Sequence, residues 1–138
     1  MFADMGTAPE RLEAVAQASE SWLRAALADG RYFGWLVTLA EDPSAIVAGA
    51  GMIVMDWPPT ARDQGTKRGY LLNIYTEPEH RRRGLARRLT AEALREAERL
   101  DIRVVTLHAS EQGRALYEQL GFEPTNEMRI VLYKETLR

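Results

Sequence analysis

Apolar positions along the chain alternate between two periods, and the switches mark the elements. Over residues 10–28, Leu12, Val15, Ala18 (or Ser19), Trp22 and Ala26 recur every three or four positions, the spacing of one helix face. Pro9 is placed to open that helix and Asp29-Gly30 to end it. Residues 32–39 and 46–55 are rich in β-branched and aromatic side chains. With the turn residues Glu41-Asp42-Pro43-Ser44 between them, they predict a hairpin. Gly49 and Gly51 inside the second run point to close packing or a bulge. Residues 57–69 form the one long polar loop, marked by Pro58, Pro59, Gly65 and Gly69. The run Y-L-L-N-I-Y over 70–75 predicts a buried strand that Pro78 stops. Helical spacing then returns at Leu85, Leu89, Ala93, Ala97 and Leu100, closed by Asp101. A strand over 102–107 follows, then a helix from Ser110 to Gly121 carrying Ala115, Leu116 and Leu120, then strands at Phe122 and 128–133. Residues 1–6 resemble the last turn of a helix stopped by Gly6.

The strand–helix–strand succession across 70–107 implies a right-handed crossover and a parallel pair, next to an antiparallel hairpin. A mixed α/β domain follows, and the 138 residues suit a single domain spanning the whole chain. Composition narrows the chemistry. No cysteine is present, which removes disulfides, thiolate–zinc sites and a cysteine nucleophile. His80 and His108 are far apart in sequence, so no metal site is expected. The net charge of −2 argues against nucleic acid as a partner, and no apolar run is long enough for a membrane span. A cytoplasmic location follows by default.

The junction between the 70–75 strand and the following helix carries the most chemistry. Arg81, Arg82 and Arg83 precede Gly84 where the helix starts. Amides of a first helical turn lack partners inside the helix, and the dipole adds partial positive charge there. Such an end attracts anions by about 0.3–1 kcal/mol per surface contact, and phosphate is the usual occupant. The alternative is a solvated basic face or a nucleic-acid contact.

Two motifs, in this order and context, resemble the GNAT superfamily of acetyl-CoA-dependent N-acetyltransferases. The first is Arg81-x-x-Gly84-x-Ala86 after a strand and opening a helix. The second is Leu116-Tyr117-Glu118-Gln119-Leu120-Gly121-Phe122 after a strand and a short helix, with Ser110 standing where many members carry Asn. The likeness covers residues 33–132. It implies a central, mostly antiparallel mixed sheet flanked by helices and splayed at a parallel strand pair, with acetyl-CoA in the V between those strands. It further implies direct acetyl transfer to a primary amine of a small molecule or peptide. The alternative within the fold is a non-catalytic module that binds acyl-CoA. Members usually carry a strand and most of a helix before the position of Met1. An uncovered sheet edge there would invite pairing with a second copy, a homodimer.

The same resemblance assigns residues. Ile74, Tyr75 and Thr76 would meet the pantetheine arm through their backbone. Arg81, Arg82, Arg83, Gly84, Leu85 and Ala86 would hold the pyrophosphate, and Ser110 would touch the cofactor or simply cap a helix. Tyr117 would be the general acid for the leaving thiolate, since a phenol near pKa ~10 can hydrogen-bond or protonate a thiolate whose acid lies near ~8.5. It could equally be a packed ring beside Leu116 and Leu120. Attack needs a neutral amine, and a lysine-like amine of pKa ~10.4 is neutral only about once in 10³ molecules at pH 7. Glu77 is the candidate base, through water, with Tyr75 as an alternative relay and a solvated residue before Pro78 as the plain reading. Asn73, expected on the same strand face as Tyr75 and opposite Ile74, could bind the acceptor or simply satisfy a strand-end backbone group; Trp57 and Asn126 are candidates for the acceptor wall, with loop packing beside two prolines the plain reading of Trp57. Acidic Asp56, Glu77 and Glu127 would suit a cationic acceptor.

Overall fold

The computed structural model describes residues 8–133. Helix α1 (Pro9–Asp29) starts at a proline whose fixed φ suits a first helical position. It ends at Gly30, which takes the left-handed conformation (φ 80°) and donates its N–H to the Ala26 carbonyl. Its inward face is narrower than the periodicity predicts. Ala26 is buried and Leu12, Ser19 and Leu23 are half-buried, whereas Val15 and Trp22 remain largely exposed. Trp22 instead meets the Tyr32 ring edge-on, with centroids 5.7 Å apart.

Strands β1 (Tyr32–Thr38) and β2 (Ile46–Asp56) form the expected antiparallel hairpin. Asp42 organises its turn by accepting hydrogen bonds from the Ser44 N–H (3.2 Å) and hydroxyl (2.6 Å). Strand β3 (Lys67–Thr76) runs antiparallel to β2 and begins three residues earlier than its apolar run predicts. Lys67, Arg68 and Gly69 pair with Asp56, Met55 and Val54, so the irregular loop shrinks to 57–66. Polar residues join a ladder when their backbone has a partner, and pattern alone does not register that.

Helix α2 (Leu85–Arg99) lays Leu89, Ala93 and Ala97 inward, as its spacing predicts. Leu89 packs with Ala48 and Ala50, with Trp35, Val37, Ile74 and Leu85 around them. Thr90 is also fully buried on this stripe. It is satisfied by donating its hydroxyl to the Ala86 carbonyl at 2.7 Å. Strand β4 (Val105–Leu107) is shorter than the predicted 102–107. Asp101 adopts a left-handed φ of 57° and the Ile102 N–H bonds back to the Ala97 carbonyl, so both residues finish the helix and cannot start a ladder. β4 lies parallel to β3 through Gly69↔Val105, Tyr70↔Thr106 and Leu71↔Leu107. The sheet order is β1-β2-β3-β4, mostly antiparallel with one parallel pair, and helices flank it.

The chain divides into two compact units, one reaching His108 and one starting at Ala109. The second holds a turn at 111–113 and helix α3 (Arg114–Gln119), which begins later than Ser110 predicts. The strands expected at Phe122 and 128–133 are not formed: the described residues from 122 on carry neither helix nor strand. Alternation states which face a strand would bury, but a strand also requires a neighbour's hydrogen bonds. The helical turn expected over residues 1–6 falls outside the described residues.

Candidate active site

The chemistry-bearing stretch is built on an irregularity in β3. Gly49 pairs with Tyr75, but Gly51 pairs with Leu72, so Ala50 alone faces Asn73 and Ile74. This is a bulge on β3, and Asn73 takes a left-handed φ of 55° there, a conformation Asn tolerates better than most residues. The simple alternation that would put Asn73 on the Tyr75 face therefore breaks at this point. The bulge also changes which backbone groups look outward. Before it, the Gly69 N–H bonds to the Val104 carbonyl on the β4 side; after it, the Glu77 N–H bonds to the Val47 carbonyl on the β2 side at 2.7 Å. Counting back in twos, Tyr75 faces β2 while Ile74 and Thr76 turn their N–H and C=O groups away from it. The last β4 pair is Leu71↔Leu107, so the parallel strands part before these groups are reached.

Past Thr76 the chain turns through Pro78–His80 into α2. Glu77 is exposed, and its Oε2 accepts a hydrogen bond from the Tyr75 hydroxyl at 3.3 Å. Arg81 donates Nε to the Thr76 carbonyl at 3.0 Å, and its guanidinium lies 6.0 Å from the centroid of the Tyr75 ring. Arg81 thus ties the loop to the strand end, while Arg82 and Arg83 are exposed and carry charge. Gly84 takes φ 76° with open space where a Cβ would stand, so conformation rather than room selects glycine. The first helical bond runs from the Arg88 N–H to the Gly84 carbonyl, and no side chain caps the helix. The Leu85 and Ala86 amides therefore belong to a first turn without helical acceptors. Further along α2, Glu92 accepts from Arg95 at 2.7 Å.

Two neighbours of this stretch escape sequence reading. Asn73 donates Nδ2 to the Tyr32 hydroxyl at 3.3 Å, across 41 residues of sequence. Tyr32 is buried over Gly51, where any Cβ would overlap its ring and hydroxyl. The paired glycines of β2 were the signal that something large lies on them. Trp57, by contrast, is not brought to the site. It follows Asp56, which pairs with Lys67 at the start of β3, whereas Glu77 follows the end of that strand. Ten residues of strand put the two about 30 Å apart, at opposite ends of the sheet. Trp57 is covered there by the Arg68 guanidinium, 4.3 Å from its ring centroid. The loop beside it is pinned by Asp63, which accepts from the Gly65 N–H at 2.9 Å.

In the second unit, Ser110 and Tyr117 converge on Gly113. A Cβ at Gly113 would stand 3.0 Å from Tyr117 Cε2 and 3.3 Å from the Ser110 hydroxyl oxygen. That oxygen accepts the Gly113 N–H at 3.1 Å, so Ser110 caps the turn ahead of α3. The Tyr117 ring meets Phe122 edge-on at 5.8 Å, and burial pushes its phenol above the ordinary value. Asn126 is exposed in the segment without secondary structure. Among the described residues no group of His, Cys, Asp or Glu could hold a metal ion, and no helix is long and apolar enough to cross a membrane.

Residues 5–122 match the model of the acetyltransferase (GNAT) family. A GCN5-related N-acetyltransferase from Ralstonia eutropha is 39% identical, with a TM-score of 0.82 over 96% of this chain and 85% of that one. A predicted acetyltransferase with acetyl-CoA from Clostridium acetobutylicum is 28% identical, with a TM-score of 0.85 over 97% and 84% of the two chains. Glucosamine-6-phosphate N-acetyltransferase from Arabidopsis thaliana shares the fold at 14% identity, with a TM-score of 0.67 over 84% and 76%. No curated protein matches the chain.

Proposed function

The chain belongs to the GNAT acetyltransferase family, and on that premise we propose that it moves an acetyl group from acetyl-CoA directly to a primary amine of a small molecule or peptide. The observation that carries this is the bulge at Asn73, which turns the Ile74 backbone and the Thr76 N–H toward an edge that no strand among the described residues pairs, directly before the Arg-rich, Gly84-capped start of α2. An amide-bearing arm can add to such an edge as a strand does. The Leu85 and Ala86 amides, the helix dipole and the charges of Arg82 and Arg83 suit a pyrophosphate. Arg81 positions this loop through the Thr76 carbonyl.

When bound, acetyl-CoA supplies an activated acetyl thioester. The chain's part is to orient the reactants and to move two protons. Glu77 takes one proton, directly or through water, from the amine nitrogen as its bond to the acetyl carbon forms. The Tyr75 hydroxyl, hydrogen-bonded to Glu77, holds that carboxylate in place. Tyr117 gives its proton to the sulfur as the carbon–sulfur bond breaks. Raised by burial, its phenol stays protonated and able to donate throughout neutral pH. Asn73, held by Tyr32 at the bulge, and Asn126 are the residues assigned to the acceptor.

The test is thioester consumption against a panel of amines, read as free thiol. The chain has no cysteine of its own to contribute signal. Amine-dependent thiol release supports the proposal. Tight acetyl-CoA binding with no release for any amine would instead identify a binding module.

A further inference from the structure

Tyr32 stands on β1, yet its hydroxyl meets a residue of β3: the Asn73 Nδ2 donates to it at 3.3 Å. Neighbouring strands lie about 4.8 Å apart, so a side chain on β1 must cross β2 to reach β3. The crossing is open because Gly51, paired with Gly34 on one side and Leu72 on the other, has no side chain. The Tyr32 ring lies over it. Trp22 backs that ring edge-on from α1. The Arg31 guanidinium, bonded to Asp29 at 2.6 Å, lies 5.9 Å from the Trp22 centroid. The ring is thus fixed from below and from the side, and its hydroxyl is a rigid post.

Asn73 needs such a post. It holds the bulge at a left-handed φ of 55°, a region that costs any residue with a Cβ some free energy, although Asn less than most. Its own side chain is exposed, so packing does not keep it there. The hydrogen bond to Tyr32 does, by offsetting that cost. Ile74 follows directly in the chain, and the direction of its outward backbone groups is set by the backbone angles of Asn73.

Taking the acetyl-CoA site proposed above as given, we propose that Tyr32 is a positioning residue for it. Its hydroxyl latches Asn73 in the left-handed bulge, and the latch aims the Ile74 backbone at the amide-bearing arm. Tyr32, Asn73 and Ile74 all lie in the compact unit that reaches His108. When the latch opens, the fraction of molecules competent to take the arm falls, and the apparent Kd rises in inverse proportion. The phosphate-binding start of α2 does not depend on the latch.

Tyr32→Phe removes the hydroxyl and keeps the ring over Gly51 and against Trp22. Calorimetry should show acetyl-CoA binding weakened roughly 3- to 10-fold, the size of one neutral hydrogen bond. Phosphoadenosine diphosphate, the cofactor's other half made without the arm, should bind wild type and variant alike. Asn73→Gly adopts a positive φ without strain but offers no amide to latch. Adding Tyr32→Phe to Asn73→Gly should therefore change acetyl-CoA affinity no further. Equal acetyl-CoA affinity in wild type and Tyr32→Phe overturns the latch and leaves the acetyl-CoA site standing. So does a loss shared equally by phosphoadenosine diphosphate, which marks a general loosening, and so does a full Tyr32→Phe penalty in the Asn73→Gly background. A wild-type chain that binds no acetyl-CoA overturns the site itself, and the latch's role with it.

Discussion

The Tyr117 ring packs edge-on against Phe122, and the accompanying burial lifts its phenol above the usual value near 10. The folded state therefore holds this proton more tightly than the unfolded state does. That contribution to stability is complete below about pH 10 and is lost as the pH rises through the raised value. Denaturation of the wild type and Tyr117→Phe at neutral and strongly alkaline pH should show the wild type losing ground to the variant as the pH rises. A difference independent of pH would contradict the burial. For catalysis, the same substitution should lower kcat by about 10²-fold or more and leave acetyl-CoA affinity nearly unchanged. Equal turnover would remove Tyr117 from the proton transfer. Gly51 is the second residue on which the site depends. Gly51→Ala places a methyl group into Tyr32, which must move and release Asn73. Overpacking of this kind should cost about 1–3 kcal/mol in urea unfolding. A neutral result would mean that Tyr32 has room to shift.

At the scale of elements, the unit that matters is β3, its turn and the start of α2. Arg82→Glu with Arg83→Glu reverses two charges at the helix start without touching the Thr76 anchor of Arg81. With about 1–2 kcal/mol at stake, acetyl-CoA affinity should fall roughly 5- to 30-fold by calorimetry, and the gap should shrink as salt is added. Unchanged affinity would take both residues out of the phosphate site. The spacing of Leu89, Ala93 and Ala97, and the basic turn ending in Gly84, made this helix and its charged start readable in advance, because both are local properties of the chain. The bulge at Asn73 was not readable, since register is settled by the opposing strand and only Gly49 and Gly51 hinted at it. The distance of Trp57 from Glu77 was hidden for a similar reason: the ladder absorbed Lys67, Arg68 and Gly69 and set the loop at the far end of the sheet. The alternation at Met128, Ile130 and Leu132 was legible, but whether an edge receives it depends on a partner strand that the pattern does not name.

At the scale of the molecule, the residues assigned to acetyl-CoA are split by the chain's division, with Ile74, Thr76 and the α2 start in one compact unit and Ser110 and Tyr117 in the other. A ligand that binds only the folded chain stabilises it by mass action, about 2.7 kcal/mol at a hundredfold excess over Kd. For a chain of this length that should raise Tm by roughly 5–10 °C. The global shift does not say which units take part, because gripping either alone would also raise Tm. Hydrogen exchange separates the cases. If both units serve one acetyl-CoA, saturation should slow exchange at the outward amides of Ile74 and Thr76 and, over the same concentration range, in the backbone around Gly113 and Tyr117. Protection confined to β3 and α2 would leave the phosphate site standing and remove Tyr117 from the leaving sulfur. The proton for the thiolate would then have to come from solvent, and turnover by Tyr117→Phe should match the wild type.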